Sequence, residues 1–527
     1  MRHILLALAL ATPAVGVAQD HQHPAGPAEQ LGRVAFPISC APGIQPRFER
    51  AVAMLHSFWF DAANAAFGEI IKADSTCALA HWGRAVTLMG NPMTRIGPNA
   101  ERLQQGLALS QRAQALAAKA THREQMYAAT GVAYYSAAAT DNHAARMKAQ
   151  EQAWDALRKA HPEDKEATIF YARTLVANAS TTDMTFAQQI AAAELMQPLF
   201  DAHPDHPGLA HYIIHAYDAP ATAARGAKAA KAYASIAPDA PHALHMPSHI
   251  FTRLGRWDES IETNQRSARA EPDSNAAVHP MDYMVYAYLQ QGREREAKDV
   301  VDRAIRNNDQ FYSGTLGYNF TAMPARYAVE RDAWSEAANL RVPVNAAPNV
   351  RAITWFSRAV GAARSGNPAP AQRDVDSLTA TKAQLDRAND TYWATIVEAQ
   401  RLAASAWVAF ATHDTAKALQ LARAGAELEE TVEKHPVTPG PILPARELEG
   451  DLLLQIGRPA DALASYEKTL VRELRRFRAL WGAARAADRA GNHAVARARY
   501  SEVLELLSKA DASRTEPAIA KRYLGAR

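Results

Sequence analysis

Six histidines fall within 69 residues of this chain: His211, His215, His242, His245, His249 and His279. The pattern Pro207-x-x-x-His211-x-x-x-His215-x-Tyr217 returns as Pro241-x-x-x-His245-x-x-x-His249-x-Phe251, each matched residue 34 positions further on. On a helix, residues i and i+4 stand one above the other, so each His pair can chelate one ion through imidazole nitrogens. Packed helices lie about 8–10 Å apart, so side chains of neighbouring helices can converge on one point between them. Bonds of about 2.0–2.1 Å from metal to imidazole demand that convergence. His242, Asp218, His279 and Asp282 are placed to complete or support such a shell. Neutral imidazole suits zinc, copper, iron and nickel, and the cluster contains no cysteine for the softest sites. A transition metal is therefore expected, copper or zinc ahead of iron. Two other readings use the same residues: a groove that takes a peptide, a protein or a small anionic ligand through the histidines, Arg253 and Tyr286, or histidines that only hydrogen-bond within packed helices. Pro247, between His245 and His249, is expected to kink its helix or to begin it, and the second case would take His245 off the helical face.

The elements that must carry these residues follow from the same offset. A fixed period of 34 residues belongs to helix-turn-helix arrays in which no unit buries its own apolar face and each stacks on its neighbours. Gly255-Arg256-Trp257-Asp258-Glu259-Ser260, followed by Asn264 and Pro272, resembles the turn and second helix of a tetratricopeptide (TPR) repeat. The resemblance implies that His242, His245 and His249 face a concave groove from the first helix of their repeat. By the same register Asp218, Thr252 and Arg253 fall near the end of first helices, and the next repeat offers His279, Asp282 and Tyr286. Gly457, Ala462 and Tyr466 return as Gly491, Ala496 and Tyr500, again 34 apart. The expected fold is all-α, a TPR-like α-solenoid. The phrases HPGLAHYIIHAYDAP and APHALHMPSHIFTRLGRWDESI, with the His-x-x-Asp-Tyr segment that ends in YAYLQ, are also similar to a group of secreted bacterial TPR proteins. That resemblance implies the fold and an exported protein, and no particular activity.

Along the chain, residues 1–18 are expected to be a signal peptide, because Met1-Arg2-His3 precedes an apolar run from Ile4 to Val17 that is too short for a retained span. The mature protein is then periplasmic or secreted, with no membrane span. A leader (19–43) precedes degenerate repeats (44–206), the His-rich repeats (207–310), further repeats (311–434), a Pro-rich link (435–444), a C-terminal TPR pair (445–510) and a polar tail (511–527). The only two cysteines, Cys40 and Cys77, are expected to pair in an oxidising compartment and staple the leader to the first repeat. With 58 Lys and Arg against 55 Asp and Glu, the net charge of +3 forms no basic stripe, so nucleic acid is not an expected partner. No phosphate-binding Gly loop, dinucleotide fingerprint, Gly-x-Ser-x-Gly or His-Glu-x-x-His is present, so no nucleotide cofactor is expected. If a bound metal kept an open position, a hydrolytic or oxidative reaction would become available, with a groove aspartate as base and Arg253 as anion stabiliser. His56, and His435 with Glu447, are outlying candidates better read as caps or groove lining.

Overall fold

The computed structural model describes residues 29–136, 142–271, 277–306 and 314–525; the signal-peptide expectation for residues 1–18 lies outside them. Among the described residues every regular element is a helix, and the helices pack in consecutive pairs as a TPR-like solenoid. The pairs that carry the histidines are Pro207–Ala216 with Ala223–Ile236, then Pro241–His245 and Pro247–Arg253 with Trp257–Ala270, then Val278–Gln290 with Glu294–Arg306. Pro207 and Pro241 each open a helix, where the missing N–H is one that no intrahelical carbonyl would have met. Pro247 does split its helix. Met246 nevertheless keeps helical angles (φ −53°, ψ −36°), so the backbone stays helical through the break.

Small residues set how closely the pairs approach. At Gly208 a Cβ would stand 2.5 Å from His56 Nδ1, so only glycine lets the helix Pro207–Ala216 lie against the end of the helix Gln45–His56. Gly255, in the left-handed region at φ +64°, turns the chain from Arg253 into Trp257. A Cβ there would also come within 2.7 Å of the Leu474 carbonyl, a residue more than two hundred positions away. Trp257 donates its indole N–H to the Arg475 carbonyl at 3.2 Å. One apolar cluster accordingly joins Trp257, Tyr286 and Leu289 to Phe477, Leu480 and Leu507. The last repeats thus pack back onto the central ones.

The segment 435–444 runs through the middle of this arrangement. A buried segment without regular secondary structure must find partners for its backbone polar groups. Pro436, Pro439, Pro441 and Pro444 remove four of the N–H groups at the outset. Of the carbonyls, Arg326 donates to Pro441 and Gly440 at 2.8 and 2.6 Å, Asn319 to Val437 at 2.9 Å, and Tyr283 to Thr438 at 3.3 Å. Arg326 is itself held by Asp282 at 3.0 Å, both fully buried. At the N-terminal end the Cys40–Cys77 disulfide ties residue 40 to the start of the helix Ala78–Leu88.

The far end of the link is anchored by Glu429, which accepts from the Ala445 N–H at 2.8 Å. Burial pushes its carboxyl up to about 7, against the opposing effect of that bond. Since the folded state holds this proton where the unfolded chain has lost it, stability falls as pH rises from about 4.5 to about 7, by on the order of 3 kcal/mol at most. Glu429→Gln is expected to remove that part of the slope in urea-unfolding free energies measured between pH 4.5 and 8. An unchanged slope would show that Glu429 ionises freely in the fold.

Candidate metal centre

Three groups of side chains place potential ligand atoms within 4.8 Å of one another: His211, His215 and His242; His245, His249 and His279; and His56, Glu166 and His206. The first two draw together all six histidines singled out by spacing, and they form two triads where a single point of convergence was expected. His211, His245 and His249 are buried, and His215, His242 and His279 are half-buried.

In both i, i+4 pairs the Nε2 atoms face each other at 3.1 Å, between His211 and His215 and between His245 and His249. The break at Pro247 leaves the second spacing equal to the first. The remaining nitrogens decide what these contacts are. His211 donates its Nδ1–H to the His56 carbonyl at 2.6 Å. Asn264 donates its amide N–H to the Ser260 carbonyl at 2.7 Å, which turns its oxygen toward His245, and His245 Nδ1–H donates to that oxygen at 2.6 Å. His249 Nδ1–H donates to Asp218 at 2.8 Å, with the Tyr283 hydroxyl oxygen at 3.2 Å. Each of these three rings thus carries its proton on Nδ1, facing outward, and a bare lone pair on Nε2. For His245 and His249 the 3.1 Å contact sets one lone pair against another. Two imidazoles bound to one ion at about 2.0–2.1 Å, at angles between square and tetrahedral, would place their nitrogens about 2.9–3.4 Å apart.

The third member of each triad has a buried nitrogen with no hydrogen-bond partner, Nε2 of His242 and Nδ1 of His279. Buried polar atoms normally find partners, so these two call for an occupant. Desolvation holds all six rings below the ordinary histidine range, and repulsion from neighbouring rings adds to it for five of them. His245 is pushed down to about 3. For His249 the Asp218 carboxylate partly opposes the burial effect. At neutral pH the six imidazoles are neutral, the form in which they bind metals.

Asp218 is the charged hub beside the triads. It accepts from His249, from Arg253 Nε at 2.9 Å and from Lys434 Nζ at 3.1 Å. Burial would raise its carboxyl, but Lys434 and Arg253 outweigh that and hold it well below the usual range. Arg253 also bonds Glu433, so its guanidinium is turned toward this ion-pair network. Asp282 lies on Arg326 and Asn319, and Tyr286 on Glu473 and Arg476, both away from the triads. Glu447 is clamped between Arg476 and Arg478. His435 donates to the Thr94 carbonyl at 3.2 Å while accepting from Val437 N–H at 3.1 Å.

The third group differs in kind. His56 and His206 donate to the two oxygens of Glu166 at 2.9 and 2.8 Å. Their other nitrogens are also engaged, His56 with the Tyr212 hydroxyl at 3.0 Å and His206 with the Leu209 N–H at 3.3 Å. With every donor and acceptor met, this is a hydrogen-bonded brace that presents the His56 carbonyl to His211.

Sequence reasoning took Asn264, Tyr283 and Phe58 only as repeat or motif markers, and passed over Glu433 and Lys434 altogether. Glu433 and Lys434 reach Arg253 and Asp218 from 180 and 216 positions away, and no local pattern signals that. A cavity of about 240 Å³ opens beside the triads, lined by His215, His242, His245, His249 and His279, with Phe58, Trp59 and Met93 among its walls.

No family model matches the chain, and no curated protein matches it. Among solved structures it is similar to the human IFIT1 dimer with PPP-AAAA, at 12% identity over 86% of this chain and 89% of that one, with a TM-score of 0.39. It is also similar to Naa15/Naa10 bound to HypK-THB, at 12% identity over 91% and 77%, with a TM-score of 0.24. Likenesses this distant add nothing to what the chain's own geometry says about the site.

Replacing Asp218 by Asn would leave Arg253 and Lys434 buried against a neutral amide. The expected cost is about 3–5 kcal/mol of stability, the range for breaking a buried ion pair. Urea unfolding at neutral pH measures it. A cost below about 1 kcal/mol would instead mark the network as solvated.

Proposed function

We propose that this chain is an exported TPR solenoid that holds transition-metal ions in a histidine pocket and presents them to a small ligand or partner. The observation that carries this reading is the pair His245 and His249. Both hold their protons outward on Asn264 and Asp218, and their bare Nε2 atoms face each other at 3.1 Å. A cation between them turns a repulsive contact into two coordinate bonds. The orphaned nitrogens of His242 and His279 support the same reading. An all-imidazole donor set suits copper or zinc and is poor for magnesium or calcium, which take oxygen ligands. When bound, such ions supply Lewis acidity and, for copper, redox capacity. The chain's own groups orient the rings: the His56 carbonyl, Asn264 and Asp218 hold His211, His245 and His249, the outer hydrogen bonding that metal-binding imidazoles rely on. Export is supported by the sequence at residues 1–18 and by the resemblance to secreted bacterial TPR proteins, and the cysteine pair is consistent with an oxidising compartment.

Elemental analysis of the mature protein, purified without a histidine tag, tests the proposal beside His245→Ala/His249→Ala. Near-stoichiometric copper, zinc or iron is expected in the native protein and a clear loss in the variant. Because a metal bound only by the folded state stabilises it by mass action, a chelator is expected to lower the native melting temperature and to leave the variant's unchanged. Absence of metal from the native protein, even after reconstitution, would overturn the reading in favour of a metal-independent groove.

A further inference from the structure

One cavity touches both triads. Across the boundary between them, the ring centroids of His215 and His249 lie 5.8 Å apart and those of His242 and His245 lie 5.9 Å apart. Within the triads the figures are 4.9 Å for His211 and His215, 5.0 Å for His211 and His242, 5.0 Å for His245 and His249, 4.5 Å for His245 and His279, and 5.9 Å for His249 and His279. Rings across the boundary are therefore no farther apart than the widest pair inside a triad, and the two triads lie side by side. The same cavity touches both, since His215 and His242 from one triad and His245, His249 and His279 from the other all line it. His211 alone is withdrawn from that wall. Phe58 covers its triad: the Phe58 ring is 4.3 Å from His211, 5.6 Å from His242 and 5.9 Å from His215, centroid to centroid. Phe58 holds the left-handed backbone region at φ 53°, an unfavourable place for an aromatic residue that the surrounding packing must enforce.

Charge points to a further participant. Six neutral imidazoles contribute no negative charge. Asp218 is bonded to a ring of the triads, and it is already matched by Arg253 and Lys434. Glu271 reaches the cavity wall. Two divalent ions would bring four positive charges into this setting, and an anion entering from the cavity would offset part of them.

We infer that the two triads form one dinuclear copper centre, with a small anion from the cavity bridging the ions. This rests on the metal reading above and adds to it the number of ions, their coupling and the class of ligand. Two-metal sites place their ions about 3.5–4 Å apart, a spacing that one small ligand can span. The His211, His215 and His242 set holds one ion, the His245, His249 and His279 set the other, and the cavity supplies the face on which the bridge binds.

The test is Cu(II) titration of the metal-free mature protein in the presence of azide as the bridging probe, with bound copper counted by elemental analysis and unpaired spins by double integration of the EPR signal. The expected result is two copper ions per chain with most of the EPR intensity missing, because bridged Cu(II) ions couple their spins. His242→Ala and His279→Ala each remove a ring nitrogen that has no hydrogen-bond partner, so no bond made by that nitrogen is lost. Each variant is expected to retain one copper ion and to regain the full signal of an isolated Cu(II). Two ions with full intensity in the native protein would overturn the coupling and leave two independent sites. One ion per chain would overturn dinuclearity while leaving the metal reading intact. No copper bound at all would overturn both. The native spin count decides the matter by itself if either variant fails to fold, which circular dichroism would show.

Discussion

The Asp218 carboxylate is the interaction on which the centre of this molecule depends. It sits just past the helix Pro207–Ala216 and accepts from His249 and Arg253 of the next repeat and from Lys434 at the entrance to the link. A solenoid repeat ordinarily touches only its neighbours. Here one buried anion binds two adjacent repeats to a segment more than two hundred residues further along. A buried charge is costly unless its partners are all in place, so the network tolerates little displacement of any member. The orientation of His249 is fixed by the same constraint.

The packing that holds this network relies on residues chosen for what they lack. Gly208 has no Cβ to collide with His56, and Gly255 none to meet the Leu474 carbonyl. Prolines in the link have no N–H to satisfy, and Arg326, Asn319 and Tyr283 cover carbonyls that remain. The Pro247 break shows the same economy. It interrupts the backbone ladder between His245 and His249, yet the helical angles at Met246 preserve the facing of the two rings.

A contrast between neighbouring histidine groups sharpens the chemical reading. His56, Glu166 and His206 satisfy one another and their surroundings completely, so burial there is answered by hydrogen bonds. In the two triads the outward nitrogens of His211, His245 and His249 are satisfied to the same standard, while the inward Nε2 atoms meet other imidazoles. Among the described residues the third group includes the Glu166 carboxylate, and the two triads are made of imidazoles. A Glu166-like acceptor inside the triads would convert them into a brace of hydrogen bonds; without one, the lone pairs stay available for a cation.

The sequence by itself determined the helical repeat and the histidine pairs, because both are local and periodic. An offset of 34 and a spacing of four can be read without knowing what any residue touches, and the turn glycines Gly255, Gly457 and Gly491 lie in the left-handed region that such turns require. The candidacy of His242 and His279 was legible too, from their register within the repeat. Tertiary structure alone decided which nitrogen of each ring faces inward, since that follows from the His56 carbonyl, Asn264 and Asp218. It alone divided six histidines into two triads, moved Asp282, Tyr286 and Arg253 into buried ion-pair and hydrogen-bond networks, and brought Phe58 and Lys434 to the site. Those outcomes rest on contacts between residues far apart in the chain, whose partners no periodic pattern encodes.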